Sequence, residues 1–202
     1  MYDPRRHHRR SIRLKGYDYS QPGAYFVTMV ARHREHLFGS MGEASAGLDA
    51  VDSIANPADS SPQLKLTTGG EIVLKTWQKI PTHFPFTRLD EFVIMPNHFH
   101  GIIWISMGEA FTVGNYTQAE RLPVNASPQP PIGTQPGSLN AIIQNFKSIS
   151  TRKINQARNT PGNKIWQRDY YERIIRNDRE LNAIRQYIRA NPHNWPQDQE
   201  YR

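Results

Sequence analysis

Apolar residues follow two different periods along this chain, separated by long stretches with no period at all. Gly23-Ala24-Tyr25-Phe26-Val27-Thr28-Met29-Val30 is rich in aromatic and β-branched residues and follows Pro22, which predicts a strand. From Glu71 to Phe84, Ile72, Leu74, Trp77 and Ile80 recur near the spacing of an amphipathic helix. Leu89 to Ile94 and Phe99 to Ile105 predict two strands joined by a turn containing Pro96-Asn97. Ser138 opens a helix with Leu139, Ile142, Ile143, Phe146 and Ile149 along one stripe, and Pro161-Gly162 breaks the chain after it. Trp166 to Ile175 reads as a strand or an ordered loop. A last helix is expected from Asp178, as N-cap, to the Asn191-Pro192 stop.

The unpatterned stretches are Gly39 to Thr68, made of small residues with Ser, Asp and Pro, and Met107 to Gly137. In the second, Pro123, Pro128, Pro130, Pro131 and Pro136 forbid a regular element. No internal repeat is present. The pattern is that of an α+β fold: a small antiparallel sheet with helices packed on one face. One domain over 1–202 is expected, with a basic arm over about 1–20 and surface insertions over about 39–69 and 107–137.

Composition narrows the function. A hydrophobic fraction of 37% implies a modest core. No apolar run approaches the ~20 residues that span a bilayer, and the basic N-terminus lacks an apolar h-region, so a cytoplasmic protein without membrane contact is expected. The absence of cysteine excludes disulfides and thiolate zinc sites. A formal charge of +7 favours a polyanionic partner, because each neutralised phosphate releases counterions. Arg5, Arg6, Arg9, Arg10, Arg13 and Lys15 crowd the N-terminus. A second basic region, including Lys147, Arg152, Lys153, Lys164 and Arg168, is interleaved with Phe146, Trp166, Tyr170, Tyr171 and Tyr187. Cations alternating with stacking faces suit single-stranded nucleic acid; the plainer reading is a solvated surface.

His98 and His100 carry the sharpest chemistry. On a strand, residues two apart share a face, with Cα atoms about 6.5–7 Å apart, close enough for both imidazoles to share one divalent ion. Ile102 and Trp104 continue that face while Phe99, Ile103 and Ile105 line the other, as in a central strand buried on both sides. The alternative is two ordinary hydrogen-bonded histidines. His33 and His36 could share a helical face, but no third ligand lies nearby, so that pair is read as structural. Tyr187 and Asn191 are four apart on the final helix and share its face. Asn191 offers a hard oxygen to Mg²⁺ or Mn²⁺, and Tyr187 is a possible covalent nucleophile.

Three segments carry a family resemblance: Arg9 to Tyr19 leading into Gly23 to Thr28; Val93-Ile94-Met95-Pro96-Asn97-His98-Phe99-His100-Gly101-Ile102-Ile103-Trp104; and Ile165 to Arg176 followed by Tyr187-Ile188-Arg189-Ala190-Asn191-Pro192. In this order they resemble the REP-associated tyrosine transposases, a branch of the HUH single-tyrosine, IS200-like insertion-sequence transposases. The resemblance implies a ferredoxin-like sheet with the HUH histidines on a central strand. It also implies attack by a tyrosine on single-stranded DNA bearing hairpin-forming palindromes, leaving a 5′-phosphotyrosine and a free 3′-OH. Carried onto this chain, the metal ligands are His98, His100 and Asn191, the ion is Mg or Mn, and the nucleophile is Tyr187. Tyr170 and Tyr171 compete but lack an Asn four residues on. DNA binding is expected from Arg5, Arg6, Arg9, Arg10, Arg13, Lys147, Arg152, Lys153 and Arg168. Relatives include monomers and homodimers with shared active sites, and either arrangement is open here. The other readings are a replication or conjugation nickase, a domesticated hairpin-binding regulator without cleavage, and an RNA-binding module.

Overall fold

The computed structural model describes residues 17–42, 63–106 and 136–197. In chain order the elements are β1 (Gly23–Val30), β2 (Gly39–Gly42), β3 (Gln63–Leu66), α1 (Thr68–Gln78), α2 (Ile80–His83), β4 (Thr87–Ile94), β5 (His98–Ile105), α3 (Leu139–Arg158), β6 (Tyr171–Ile175) and α4 (Asp178–Ala190). Four strands form one sheet in the order β4-β5-β1-β6, every neighbour antiparallel. With the β2–β3 ribbon set aside, the succession β1, α1, β4, β5, α3, β6 is the ferredoxin-like one. The histidine strand β5 is central, paired to β1 and to β4.

Alternation along β1 and β5 sorts the core into two faces. Tyr25, Val27 and Met29 join Phe99, Ile103 and Ile105 against Val73 and Trp77 of α1 and Leu139, Ile142, Ile143 and Phe146 of α3. On the other face Ala24, Phe26, Ile102 and Ile175 meet Leu181 and Ile188 of α4. The expectation of helices on one face therefore holds for α1 and α3, whereas α4 covers the opposite face. The cause is the double-sided apolarity of β5, which leaves neither face fit for water.

Local chemistry places the boundaries. The Ser138 hydroxyl accepts from Ala141 N–H and starts α3; Asn159, at φ 53°, ends it just before Pro161. The cap of α4 is Asn177 rather than Asp178: the Asn177 side chain accepts from Glu180 N–H at 2.9 Å, leaving Asp178 in the first turn, where its charge complements the helix dipole. The single helix expected over Glu71–Phe84 divides at Lys79, because Pro81 tolerates only the first turn of α2. The insertion expected over Gly39–Thr68 is structured at both ends, where β2 and β3 pair from Gly39↔Leu66 to Gly42↔Gln63. Trp166 forms an isolated bridge with Ala31, and the strand proper begins only at Tyr171. Most of the second insertion lies outside the described residues, as do Arg5, Arg6, Arg9, Arg10 and Arg13.

Gly101 sits where β5 passes under α1. A Cβ there would lie 2.7 Å from Phe99 Cε1 and 2.8 Å from Trp77 Cζ2, both in the packed core. Gly101→Ala is expected to destabilise the fold by ~1–3 kcal/mol through overpacking, read from the urea midpoint. An unchanged midpoint would mean that the packing of Trp77 on Phe99 yields easily to an added methyl group.

Candidate active site

β5 opens on His98 and carries His100 on the same face; the rings lie 4.5 Å apart between centroids at 68°. Both are buried, at 0% and 3% exposure. Each Nδ1 is held by the protein. His100 Nδ1 meets the Thr28 hydroxyl at 2.7 Å, delivered by the Thr28↔His100 register of β1 and β5. His98 Nδ1 meets Asn97 Oδ1 at 2.9 Å, and Asn97 Nδ2 donates to the Arg34 carbonyl at 3.3 Å. The Asn97 oxygen only accepts, so His98 Nδ1 carries the proton and Nε2 carries the lone pair. Burial above all, with the neighbouring His98 ring acting in the same direction, holds His100 well below the usual imidazole pKa, so it is neutral at pH 7. A neutral imidazole is the form that binds metal.

α4 brings Tyr187 over this pair. Its hydroxyl lies 3.4 Å from His100 Nε2, within the same chain, and the two rings meet edge-on at 5.3 Å. Phe26 anchors the group, stacking on His100 at 5.5 Å and taking the Tyr187 ring edge-on at 6.1 Å. Tyr187 is nevertheless 47% exposed. Asn191 caps the C-terminal end of α4 and is buried. Trp195 packs near His98, 5.6 Å away between ring centroids.

By the chemistry of their donor atoms, His98, His100 and Asn191 would suit a divalent ion. His98 Nε2 and Asn191 Oδ1 are both buried atoms with a lone pair to offer. Two imidazole nitrogens and an amide oxygen form a mixed set compatible with Mn²⁺ or Mg²⁺. Among the described residues no three His, Asp or Glu side chains group to hold a metal, so further ligands would come from Asn191, water or a substrate oxygen.

The competing tyrosines separate. Tyr170 packs against the α1–α3 core. Tyr171 pairs with Thr28 and meets Phe26 edge-on at 6.2 Å, so it shares the histidine face one strand further away. His33 and His36 share no helical face. The 3-10 turn at Arg32–Arg34 is too short, and His33 takes a left-handed φ of 56°.

Of the basic residues, Arg152 and Arg168 line an open groove of about 1570 Å³ with Arg32, Arg34 and Lys164. Lys147 borders the same groove, but its ammonium donates to the carbonyls of Gln167 at 2.6 Å and Arg168 at 3.0 Å, tying that loop to α3. Burial brings its pKa down to about 8, with Asp169 opposing the shift. Lys153 is exposed on α3 outside the groove lining.

A family model described as "Transposase IS200 like" matches residues 133–191, the stretch that holds α3, β6, α4, Tyr187 and Asn191. An uncharacterized protein of Haemophilus influenzae is 37% identical over 197 residues, covering 96% of this chain and 94% of that one. The chain belongs to the IS200-like transposase family. The solved structure of a REP-associated tyrosine transposase bound to a REP hairpin shares the fold, with a TM-score of 0.51 at 16% identity over 91% of this chain and 72% of that one. A putative transposase from Deinococcus radiodurans gives 0.40 at 14% identity over 91% and 98%. Among the described residues of this family member, no helix is long and apolar enough to cross a membrane.

Thr28, Asn97, Phe26 and Trp195 join the site without having been marked by the sequence. Thr28 has no motif of its own and becomes visible only through strand register; Asn97 was legible only as a turn residue. Thr28→Val removes a hydroxyl at nearly constant shape and strands a buried ring nitrogen. The expected cost is ~1–3 kcal/mol in urea unfolding, with a shift of the His100 ring ¹⁵N resonances. Unmoved resonances would show that Thr28 does not set this imidazole.

Proposed function

We propose that this chain is a metal-dependent transposase that cuts and rejoins single-stranded DNA at hairpin palindromes. Tyr187 is the nucleophile, and His98, His100 and Asn191 hold Mg²⁺ or Mn²⁺. The observation that carries the reading is the approach of the Tyr187 hydroxyl to His100 Nε2 at 3.4 Å. A solvent-facing phenol standing beside two buried, pre-oriented imidazoles is an arrangement that core packing alone does not require.

In this reading the Tyr187 oxygen attacks phosphorus, the P–O3′ bond breaks, and the DNA leaves with a free 3′-OH while its 5′-phosphate stays on the tyrosine. Reversal by a 3′-OH restores a phosphodiester, so the bond energy is retained and no nucleotide triphosphate is needed. A bound divalent ion would polarise the phosphoryl oxygen and neutralise charge developing on it. Thr28 and Asn97 hold the two rings by Nδ1, so that Nε2 is the atom offered to the ion. Phe26 keeps the imidazole and phenol rings in register and excludes water from behind His100.

The DNA-binding assignment falls on two surfaces. Arg152 and Arg168 lie in a groove on the α3 side of the sheet, whereas Tyr187 lies on the α4 side. A paired stem with a single-stranded flank is a substrate able to reach both. A hairpin is also what the REP-associated structural neighbour was solved with, which supports this choice. Lys147 shapes the groove wall, Lys153 adds charge beside it, and Arg5, Arg6, Arg9, Arg10 and Arg13 supply further phosphate contacts.

Labelled hairpin DNA incubated with the protein and Mn²⁺ or Mg²⁺ is expected to give a covalent adduct that survives SDS. Tyr187→Phe should form none yet bind DNA, and His98→Ala or His100→Ala should form little. Adduct at the wild-type level in Tyr187→Phe transfers the role to Tyr171, which shares the face. DNA binding with no adduct in the wild-type protein would favour a regulator. Separately, replacing Arg152 and Arg168 by Gln should weaken binding and flatten the dependence of log K on log salt by about 1 for each phosphate no longer neutralised. An unchanged slope would remove the groove from the DNA path.

A further inference from the structure

The apolar footing of α4 is narrow. Only Leu181 and Ile188 are buried along it, with Ile184 partly buried on the same stripe. Such a stripe decides which side of the helix faces the sheet but sets its rotation loosely. Tyr187 is packed edge-on against Phe26 and His100 while 47% exposed, so it follows the helix that carries it. The rotation of α4 therefore helps to decide where the Tyr187 hydroxyl stands.

β4 carries an irregularity between Leu89 and Phe92, so Asp90 and Glu91 fall out of step with the ladder to β5. The Asp90 side chain is only 6% exposed. It accepts Arg185 Nε at 2.8 Å and Arg185 Nη2 at 2.7 Å, a two-point fork, and Trp104 Nε1 at 2.9 Å. Trp104 stands on β5 four residues beyond His100, and Arg185 stands two residues before Tyr187 on α4. One carboxylate therefore joins the histidine strand, the bulged strand and the tyrosine helix. One turn further along α4, Arg189 Nε donates to Glu91 at 3.0 Å, a second tie to the same bulge. Arg88 also faces Asp90, 3.9 Å away and lying over the Trp104 ring at 4.8 Å, and Arg189 adds its charge from the next turn of α4.

We propose that Asp90 and Arg185 are positioning residues that set the rotation of α4 and thereby hold the Tyr187 hydroxyl against His100. A bidentate guanidinium–carboxylate pair fixes an angle as well as a distance, which an apolar contact does not. Turning α4 by one residue is a rotation of about 100° and would carry the phenol off the histidines. The inference rests on Tyr187 being the nucleophile.

The test uses the full chain, single-turnover adduct formation on hairpin DNA, and DNA affinity measured separately. Asp90→Asn and Arg185→Lys keep the size of each group and lose the fork. Both are expected to lower the cleavage rate by roughly 10–100-fold, the scale on which small misplacements cost rate, while the DNA Kd stays within about twofold. Amide exchange in α4 should quicken in both variants. If Asp90→Asn does not fold, Arg185→Lys, which keeps the charge, decides alone. A wild-type cleavage rate in the folded variant overturns the proposal; so does a rate loss matched by an equal loss of DNA affinity, which would make Arg185 a DNA-binding residue. The two readings fail differently: adduct in Tyr187→Phe sinks the nucleophile assignment, whereas a dead Tyr187→Phe beside a fully active Asp90→Asn sinks only the clamp.

Discussion

The central strand β5 has to be covered on both faces, and the candidate site follows from that constraint. Phe99, Ile103 and Ile105 are buried under α1 and α3, while Ile102 is buried under α4. A two-sided strand in an antiparallel sheet demands a cover on the face that such sheets commonly leave to water. α4 meets that demand with few apolar residues of its own, and its remaining surface stays polar. The helix that buries Ile102 is thus also the one that sets Tyr187 beside His100, two residues earlier on the same strand. Core coverage and assembly of the site are one packing event.

Burying two imidazoles at the start of such a strand is costly unless each ring nitrogen is answered. The fold answers Nδ1 twice by different means. Thr28 comes from the neighbouring strand, so the His100 ring is set by the β1–β5 register. Asn97 comes from the turn just before β5, so the His98 ring is set locally. The Thr28 tie leaves His100 Nε2 facing the Tyr187 hydroxyl that α4 carries, 3.4 Å away. The neutral form of His100 follows from the same burial.

Much of this was legible in the sequence, and the part that was not has a common cause. Period-two and near-3.6 spacing located β1, β4, β5, α3 and α4 to within a residue or two, because burial on defined faces writes itself into the order of apolar residues. The H-x-H spacing marked the shared face of His98 and His100. The Tyr187–Asn191 spacing pointed to one helical face; in the fold Asn191 is buried at the C-terminal end of α4, while Tyr187 stands 47% exposed. Thr28, Phe26 and Trp195 were hidden because their roles arise from pairing across β1 and from packing after α4, which no local window contains. The bulge at Asp90 was hidden for a related reason: two charged residues in the middle of a strand pattern look like solvent-facing positions until the opposing helix supplies Arg185. The ribbon of β2 and β3 was missed because its strands are four residues each and lie among small and polar residues.

The two surfaces assigned to DNA meet at one strained turn. β1 ends just before Ala31, whose N–H donates to the Asn97 carbonyl, while Arg32 N–H donates to Ile165 at the groove. Beyond them His33 and Arg34 both adopt left-handed backbone, at φ 56° and 57°, a conformation that costs non-glycine residues of order 1–3 kcal/mol each. The Arg34 carbonyl is nonetheless the acceptor for Asn97 Nδ2, the amide whose oxygen orients His98. A turn of ordinary conformation would relieve the strain but would redirect that carbonyl and the two arginines that line the groove. The strained geometry is therefore the means by which the end of β1 serves the histidine face on one side of the sheet and the basic groove on the other.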